Sequence, residues 1–220
     1  MTREICEYLK KNSSVSFSVE VATELARFHD DSEILAGDIL SVRKAQFTPQ
    51  EKADYEKKSL EAINTLSEKY SDETSFDYKK LLLQEHNKNG IEYHIVMYAD
   101  KLDAHMEVCH EIFAGSSLFL QPLTQWGVDM NTYEHTKIKS LKLLQKLEEM
   151  FQIPLIGKSP LFHINQEIDI EGIHSLWIPY TKESITEEKG YDIYDSWKKL
   201  HFRYWNTREK EYLYIQKEFT

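Results

Sequence analysis

The chain has 220 residues, of which 41% are hydrophobic, 12% aromatic and 29% charged, a composition that supports one buried core with an appended region and argues against a disordered or fibrous protein. Its formal net charge of -10 opposes binding to the phosphate backbone of nucleic acid or to an anionic lipid surface. A small phosphorylated ligand stays compatible with that charge, because a divalent cation inverts an acidic field locally. Cys6 and Cys109 lie far apart without C-x-x-C spacing, so both read as reduced core thiols and not as a zinc knuckle or a disulfide. The opening MTREICEYLKK has no apolar h-region and no apolar run approaches a membrane span, so a cytoplasmic protein without membrane contact is expected.

The first ~150 residues read as helical, with glycine scarce and apolar positions recurring three and four apart. Residues 2–11 suggest a short first helix. Ser16 or Ser18 can cap a second, in which Val19, Ala22, Leu25 and Ala26 lead to His29, with Gly37 as a stopping point. Thr48-Pro49-Gln50-Glu51 is the clearest start, combining a threonine N-cap, proline at the first helical position and glutamate three residues after the cap. That helix is predicted to reach Tyr70, with Leu60, Ile63 and Leu66 as its apolar stripe and Lys52, Lys57, Lys58 and Glu61 on its solvated face. Further helices are predicted over Phe76–His86, Ile91–Ala114 and Thr136–Phe151, the first two separated by the breaker Asn87-Lys88-Asn89-Gly90. Pro154, Gly157, Pro160 and Gly172 then interrupt the periodicity. FHINQEIDI and IHSLWIPY can form short strands, and Tyr191–Phe219 returns to a helical pattern with Trp197, Tyr204 and Trp205 on an aromatic face. The expected fold is therefore all-α over residues 1–150, with a less regular, partly β extension over 151–220 packing on that core.

Two apolar stripes run into polar clusters. Ala22, Ala26, His29 and Glu33 share a face of the second predicted helix, with Asp30 beside them. In IVMYADKLDAHMEV, Tyr93, Val96 and Met97 lead to Asp100. Burying an unpaired carboxylate or imidazole costs several kcal/mol, so such clusters call for a charge partner or a metal. An imidazole with carboxylates suits Mn(II), Co(II), Fe(II), Zn(II) or, more weakly, Mg(II), and the absence of thiolate ligands speaks against structural zinc. A core histidine bonded to a carboxylate is the common alternative.

The ordered set ARFHDDSEILAGDI, the FTPQEK helix start and YADKLDA resembles the HD superfamily, nearest its bacterial 5'-deoxynucleotidase branch, over roughly residues 18–115. The resemblance implies an HD-type helical bundle and a metal-dependent phosphohydrolase acting on (deoxy)nucleoside monophosphates or a similar small phosphomonoester, with a homodimer as the expected assembly. It makes His29, Asp30 and Asp100 the metal ligands, Glu33 the residue that orients or deprotonates the attacking water, and Asp38 a contact to substrate or a second metal. The family pattern also has a histidine on the helix before the doublet, whereas residues 1–28 contain none. That departure leaves two readings: a chain that starts downstream of the helix, or a site that has lost a ligand. The second would suit an HD-fold module that binds a nucleotide or partner without turnover. The spacing leaves His86, His94, His105 and His110 open as substitutes, although helix-end or core histidines are the commoner case, and Asp31 and Asp103 read as solvated residues or as neighbours of the ligands.

Overall fold

A computed structural model describes residues 1–70, 75–113, 118–124, 128–162 and 164. Among these the fold is all-α: α1 (Thr2–Asn12), α2 (Val19–Phe28), α3 (Glu33–Ala36), α4 (Ser41–Lys44), α5 (Pro49–Tyr70), α6 (Tyr78–His86), α7 (Ile91–Phe113) and α8 (Thr132–Phe151). The only β pairing among the described residues is an isolated antiparallel bridge between Pro122 and Asn131. The strands expected in FHINQEIDI and IHSLWIPY, and the aromatic segment 191–219, lie outside the described residues.

The helix starts follow from local chemistry. Ser18 Oγ accepts from the Val21 amide at 3.1 Å, Asp77 from Lys80 at 2.9 Å and Asn131 from Glu134 at 2.8 Å, each satisfying one amide that a first helical turn leaves open. At α5 the capping box is complete: Glu51 N–H donates to Thr48 Oγ1 at 3.2 Å and Thr48 N–H to Glu51 Oε2 at 2.8 Å. Gly90 joins α6 to α7 at φ +86, a left-handed conformation that favours glycine.

Helix α7 is the axis of the bundle. One face, with Ile95, Tyr98, Ala99, Leu102 and Met106, packs with Ile5, Cys6 and Leu9 of α1, Val19 and Ala22 of α2, and Tyr133, Leu144, Leu147 and Phe151 of α8. Tyr93 and Val96, on another face, join Leu25 and Phe28 of α2, Ile63 and Leu66 of α5, and Tyr78, Leu81 and Leu82 of α6. Each aliphatic side chain taken fully from water contributes about 1.5–3 kcal/mol, so the fixed register of α2 against α7 is over-determined. Beyond α8, Phe162 meets Tyr8 edge-on and stacks on Tyr98, and Tyr98 donates to the Leu161 carbonyl, which seals this end of the first cluster.

Two expectations change. Leu60 is 39% exposed, and the buried stripe of α5 is Ser59, Ala62, Ile63 and Leu66, because the helix turns its i, i+3, i+4, i+7 face from residue 59 toward α6. The second helix does not run on to Gly37. It ends at Phe28, a turn spans 29–32, and α3 then begins at Glu33 and closes at Gly37, whose φ of +91 is a glycine conformation. Cys6 and Cys109 are buried free thiols, and burial pushes the Cys6 thiol up to about 12.

Candidate active site

The break after Phe28 positions the polar cluster. Leu25 and Phe28 are held in the α2–α5–α6–α7 core, so the next residue, His29, leaves the helix at the edge of that core, opposite the middle of α7. His29 Nδ1–H donates to the Ala26 carbonyl at 3.0 Å. That bond leaves the lone pair of the neutral ring on Nε2, which is the arrangement a metal-ligating histidine adopts. Nε2 is buried and has no hydrogen-bond partner, yet it faces two carboxylates: Asp30 Oδ2 at 3.2 Å and Asp100 Oδ1 at 3.9 Å. Burial works against a charge on the ring, but Asp100 and Asp30 outweigh it and hold the pKa above the ordinary histidine value. Asp100 is the counterpart: burial would raise its pKa, but His29 and Lys101 bring it below the usual range.

Three donors from two chain segments thus converge: His29, Asp30 and Asp100. A lone pair pointing at two carboxylate oxygens is repulsive unless a proton or a cation lies between them, and an imidazole with two carboxylates is a donor set of the type that divalent cations take. Among the described residues no group of three or more His, Cys, Asp or Glu side chains is arranged so that it could hold a metal ion. Lys101 Nζ sits 2.6 Å from Asp100 Oδ2, leaving Oδ1 as the oxygen on the His29 side.

Glu33 and Asp38 are placed differently. Glu33, at the start of α3, has its Oε1 2.9 Å from Lys44 Nζ of α4. Lys44 in turn lies 4.8 Å from the centre of the Tyr55 ring, and although burial opposes its charge, Tyr55 and Glu33 raise its pKa. Asp38 follows Gly37 in the loop between α3 and α4, is exposed, and forms no hydrogen bond or ion pair among the described residues. Of the histidines left open as substitutes, His86 pairs with Ser59 Oγ at 3.3 Å, His94 has its pKa lowered by burial and then by Lys146, and His105 is in the core beside Thr136. The His110 side chain lies outside the described residues. Asp31 accepts from Tyr78 OH at 2.6 Å, a strut between the 29–32 turn and α6.

Several side chains join the site without having been singled out from the sequence. Glu85 of α6 has its carboxyl held above the usual range, first by burial and then, against His29 and Lys88, by Asp30 and Glu33. Lys44, Lys101 and Lys139 come from α4, α7 and α8. Lys101 adjoins Asp100 in sequence and was the one with an available signal. The others reach the site through the packing of α4, α6 and α8, which no local spacing encodes.

Residues 5–149 match the family described as 5'-deoxynucleotidase YfbR-like. The chain belongs to that family. A 5'-deoxynucleotidase of Photobacterium profundum is 36% identical over 97 residues, which is 44% of this chain and 49% of the relative. A 5'-deoxynucleotidase of Shewanella oneidensis is 35% identical over 98 residues, again 44% of this chain and 49% of the relative. The chain therefore spans about half the length of the curated relatives it matches. No solved structure matches it. No helix among the described residues is long and apolar enough to cross a membrane.

Proposed function

We propose that this chain is a divalent-metal-dependent phosphohydrolase that cleaves the phosphate ester of deoxynucleoside monophosphates or a similarly small phosphomonoester. The observation that carries the reading is the buried, unpartnered Nε2 of His29 aimed at Asp30 and Asp100. Membership of a 5'-deoxynucleotidase family and the names of the two relatives supply the substrate class.

In this reading His29, Asp30 and Asp100 hold the cation, whose chemistry is to neutralise phosphoryl charge and lower the pKa of water. The Ala26 carbonyl fixes the His29 tautomer so that Nε2 is the donor. Glu33 orients the attacking water and accepts its proton, with Lys44 Nζ at 2.9 Å as the partner of its carboxylate. Asp38, next to Gly37 in the loop between α3 and α4, contacts substrate or a second cation. Positioning and charge neutralisation dominate phosphoryl transfer, so the site needs no nucleophilic side chain. The same reading takes residues 1–150 as the catalytic unit, 151–220 as an appended region, the cytoplasm as the compartment and a homodimer as the assembly.

The deciding experiment is metal analysis of the purified chain with a phosphatase screen against deoxynucleoside monophosphates in Mn(II), Co(II) and Mg(II). Bound metal and turnover are expected; neither binding nor turnover with any of the three would end the proposal. An N-terminally extended chain carrying an upstream histidine, if the gene encodes one, is expected to bind metal more tightly than the present chain.

A further inference from the structure

Tyr55 lies on α5 one turn after Glu51, half-buried in a stretch, 52–58, that is otherwise exposed. It belongs to neither core cluster and faces the short helices that carry Glu33 and Lys44. Its hydroxyl donates to the Gly37 carbonyl at 3.4 Å, and Lys44 Nζ stands over its ring, 4.8 Å from the centroid. These two contacts close a circuit. Lys44 Nζ is 2.9 Å from Glu33 Oε1, and the Gly37 amide donates to the Glu33 carbonyl at 2.7 Å. Glu33, Lys44, Tyr55 and Gly37 therefore hold one another in a ring drawn from α3, α4 and α5, and Asp38 is the next residue after Gly37.

Of the four, only Tyr55 stands on a long helix. Helices α3 and α4 have four residues each, too few to keep a helical turn without tertiary support. The tyrosine is itself braced: Phe47 tilts against its ring with centroids 5.9 Å apart, Arg43 stands 5.2 Å over the Phe47 ring, and Arg43 Nη2 meets Glu51 Oε1 at 2.7 Å. Arg43 and Lys44 are adjacent on α4, while Glu51 and Tyr55 are one turn apart on α5, so α4 is fastened to α5 at two successive points. A phenol suits the position because one planar group offers two kinds of contact, an electron-rich face for an ammonium and a polar tip for a carbonyl.

We infer that Tyr55 is a positioning residue for the site, holding Glu33 through Lys44 and the Asp38 loop through the Gly37 carbonyl, so that the two carboxylates keep a set relation to each other. The roles of Glu33 and Asp38 rest on the phosphohydrolase reading; Tyr55 touches neither substrate nor cation and acts through its two neighbours. The hydroxyl contact of 3.4 Å is longer than the roughly 2.7 to 2.8 Å of a strong hydroxyl bond, whereas the ammonium lies within the range of a ring face. Losing the ring therefore costs more than losing the hydroxyl.

The experiment compares the full chain with Tyr55→Phe, which keeps the ring and removes the hydroxyl, and with Tyr55→Leu, which removes both. Thr48→Ala loosens the start of the same helix without touching Tyr55 and controls for a merely structural effect. Thermal unfolding midpoints verify that the variants fold, and Tyr55→Phe alone decides the matter if Tyr55→Leu does not. In the metal-free chain, amide hydrogen exchange at Gly37, followed by NMR, should quicken about threefold in Tyr55→Phe and about tenfold in Tyr55→Leu, with no change at Ile95 or Leu102 in the core of α7. On a deoxynucleoside monophosphate, Tyr55→Leu should lower kcat about tenfold, with Tyr55→Phe between it and the wild type, and should cause no further loss of kcat in a Lys44→Met background. Exchange at Gly37 unmoved by the Tyr55 substitutions, equal quickening by Thr48→Ala, or a full further loss of kcat in the Lys44→Met background would overturn the inference. Tyr55-dependent exchange at Gly37 in a chain that hydrolyses nothing under any metal would keep the brace and remove the phosphohydrolase reading. Turnover with kcat indifferent to Tyr55 would do the reverse.

Discussion

His105 gives the most direct check on which histidines of this chain serve chemistry and which serve packing. It is 1% exposed on α7, its Nδ1 is 3.0 Å from Thr136 Oγ1 of α8, and its ring tilts against Tyr133 at 5.3 Å. Burial, with a smaller push from Lys137, lowers its pKa from 6.5 to about 4. A histidine with a depressed folded-state pKa is neutral in the native state while the unfolded chain takes up a proton, so its contribution is full above the unfolded pKa and is lost as pH falls through the window from about 6.5 to about 4. The difference of about 2.5 units, at about 1.4 kcal/mol per unit, amounts to about 3 kcal/mol. Urea unfolding of the wild type and of His105→Gln at pH 7.5 and pH 4.5 isolates this from the carboxylates, which titrate in both. The wild type should lose about 2.5 kcal/mol more than the variant across that interval, since pH 4.5 stops short of the folded-state pKa. Parallel losses in the two proteins would mean that His105 is not the buried neutral group described here, and would return it to the pool of candidate ligands.

The remaining predictions concern the site and its frame. His29→Ala and Asp100→Ala should each lower kcat/KM at least a hundredfold and reduce bound metal in elemental analysis, whereas Asp103→Ala, at a partly buried position on α7, should change neither appreciably. Glu33→Gln should retain metal but lose kcat, a split seen by combining metal analysis with steady-state kinetics; equal loss of both would make Glu33 a ligand and not the proton acceptor. Thr48→Ala removes the hydroxyl half of the α5 capping box and should cost about 1 kcal/mol in urea unfolding without altering KM.

Much of the bundle was legible because its signals are local. The threonine–proline–glutamate start of α5 marks its own first turn, and the periodic apolar positions of α7 mark its length to within a residue. The failures arise where tertiary packing chose between locally equivalent options. Leu60 and Ser59 are adjacent on α5, and either could have been buried by periodicity alone. The register of α5 against α6 buries Ser59, whose hydroxyl is matched by His86 Nδ1 at 3.3 Å, and turns Leu60 outward. Local pattern cannot decide that, because the deciding atom belongs to a residue 27 positions away.

The structure brings His29, Asp30 and Asp100 together on a scaffold other than the continuous helix expected, and the difference matters for chemistry. On one continuous helix, His29 and Glu33 would stand one turn apart on the same face, tied in a fixed relation, and Asp30 would project about 100° away. The observed turn at 29–32 uncouples them. His29 is held by the α2 core through the Ala26 carbonyl, Asp31 is anchored to Tyr78 of α6, and Glu33 is held by Lys44 on a separate short helix. Asp30 and His29 can then converge on Asp100 while Glu33 answers to a different partner. An assembly of independently held donors can adjust to an entering cation and phosphate by small rotations of the turn, which a rigid helix face would not permit. The same arrangement explains the two lysines beside the carboxylates: each acidic group freed from the helix face needs a counter-charge of its own, and Lys44 and Lys101 supply it.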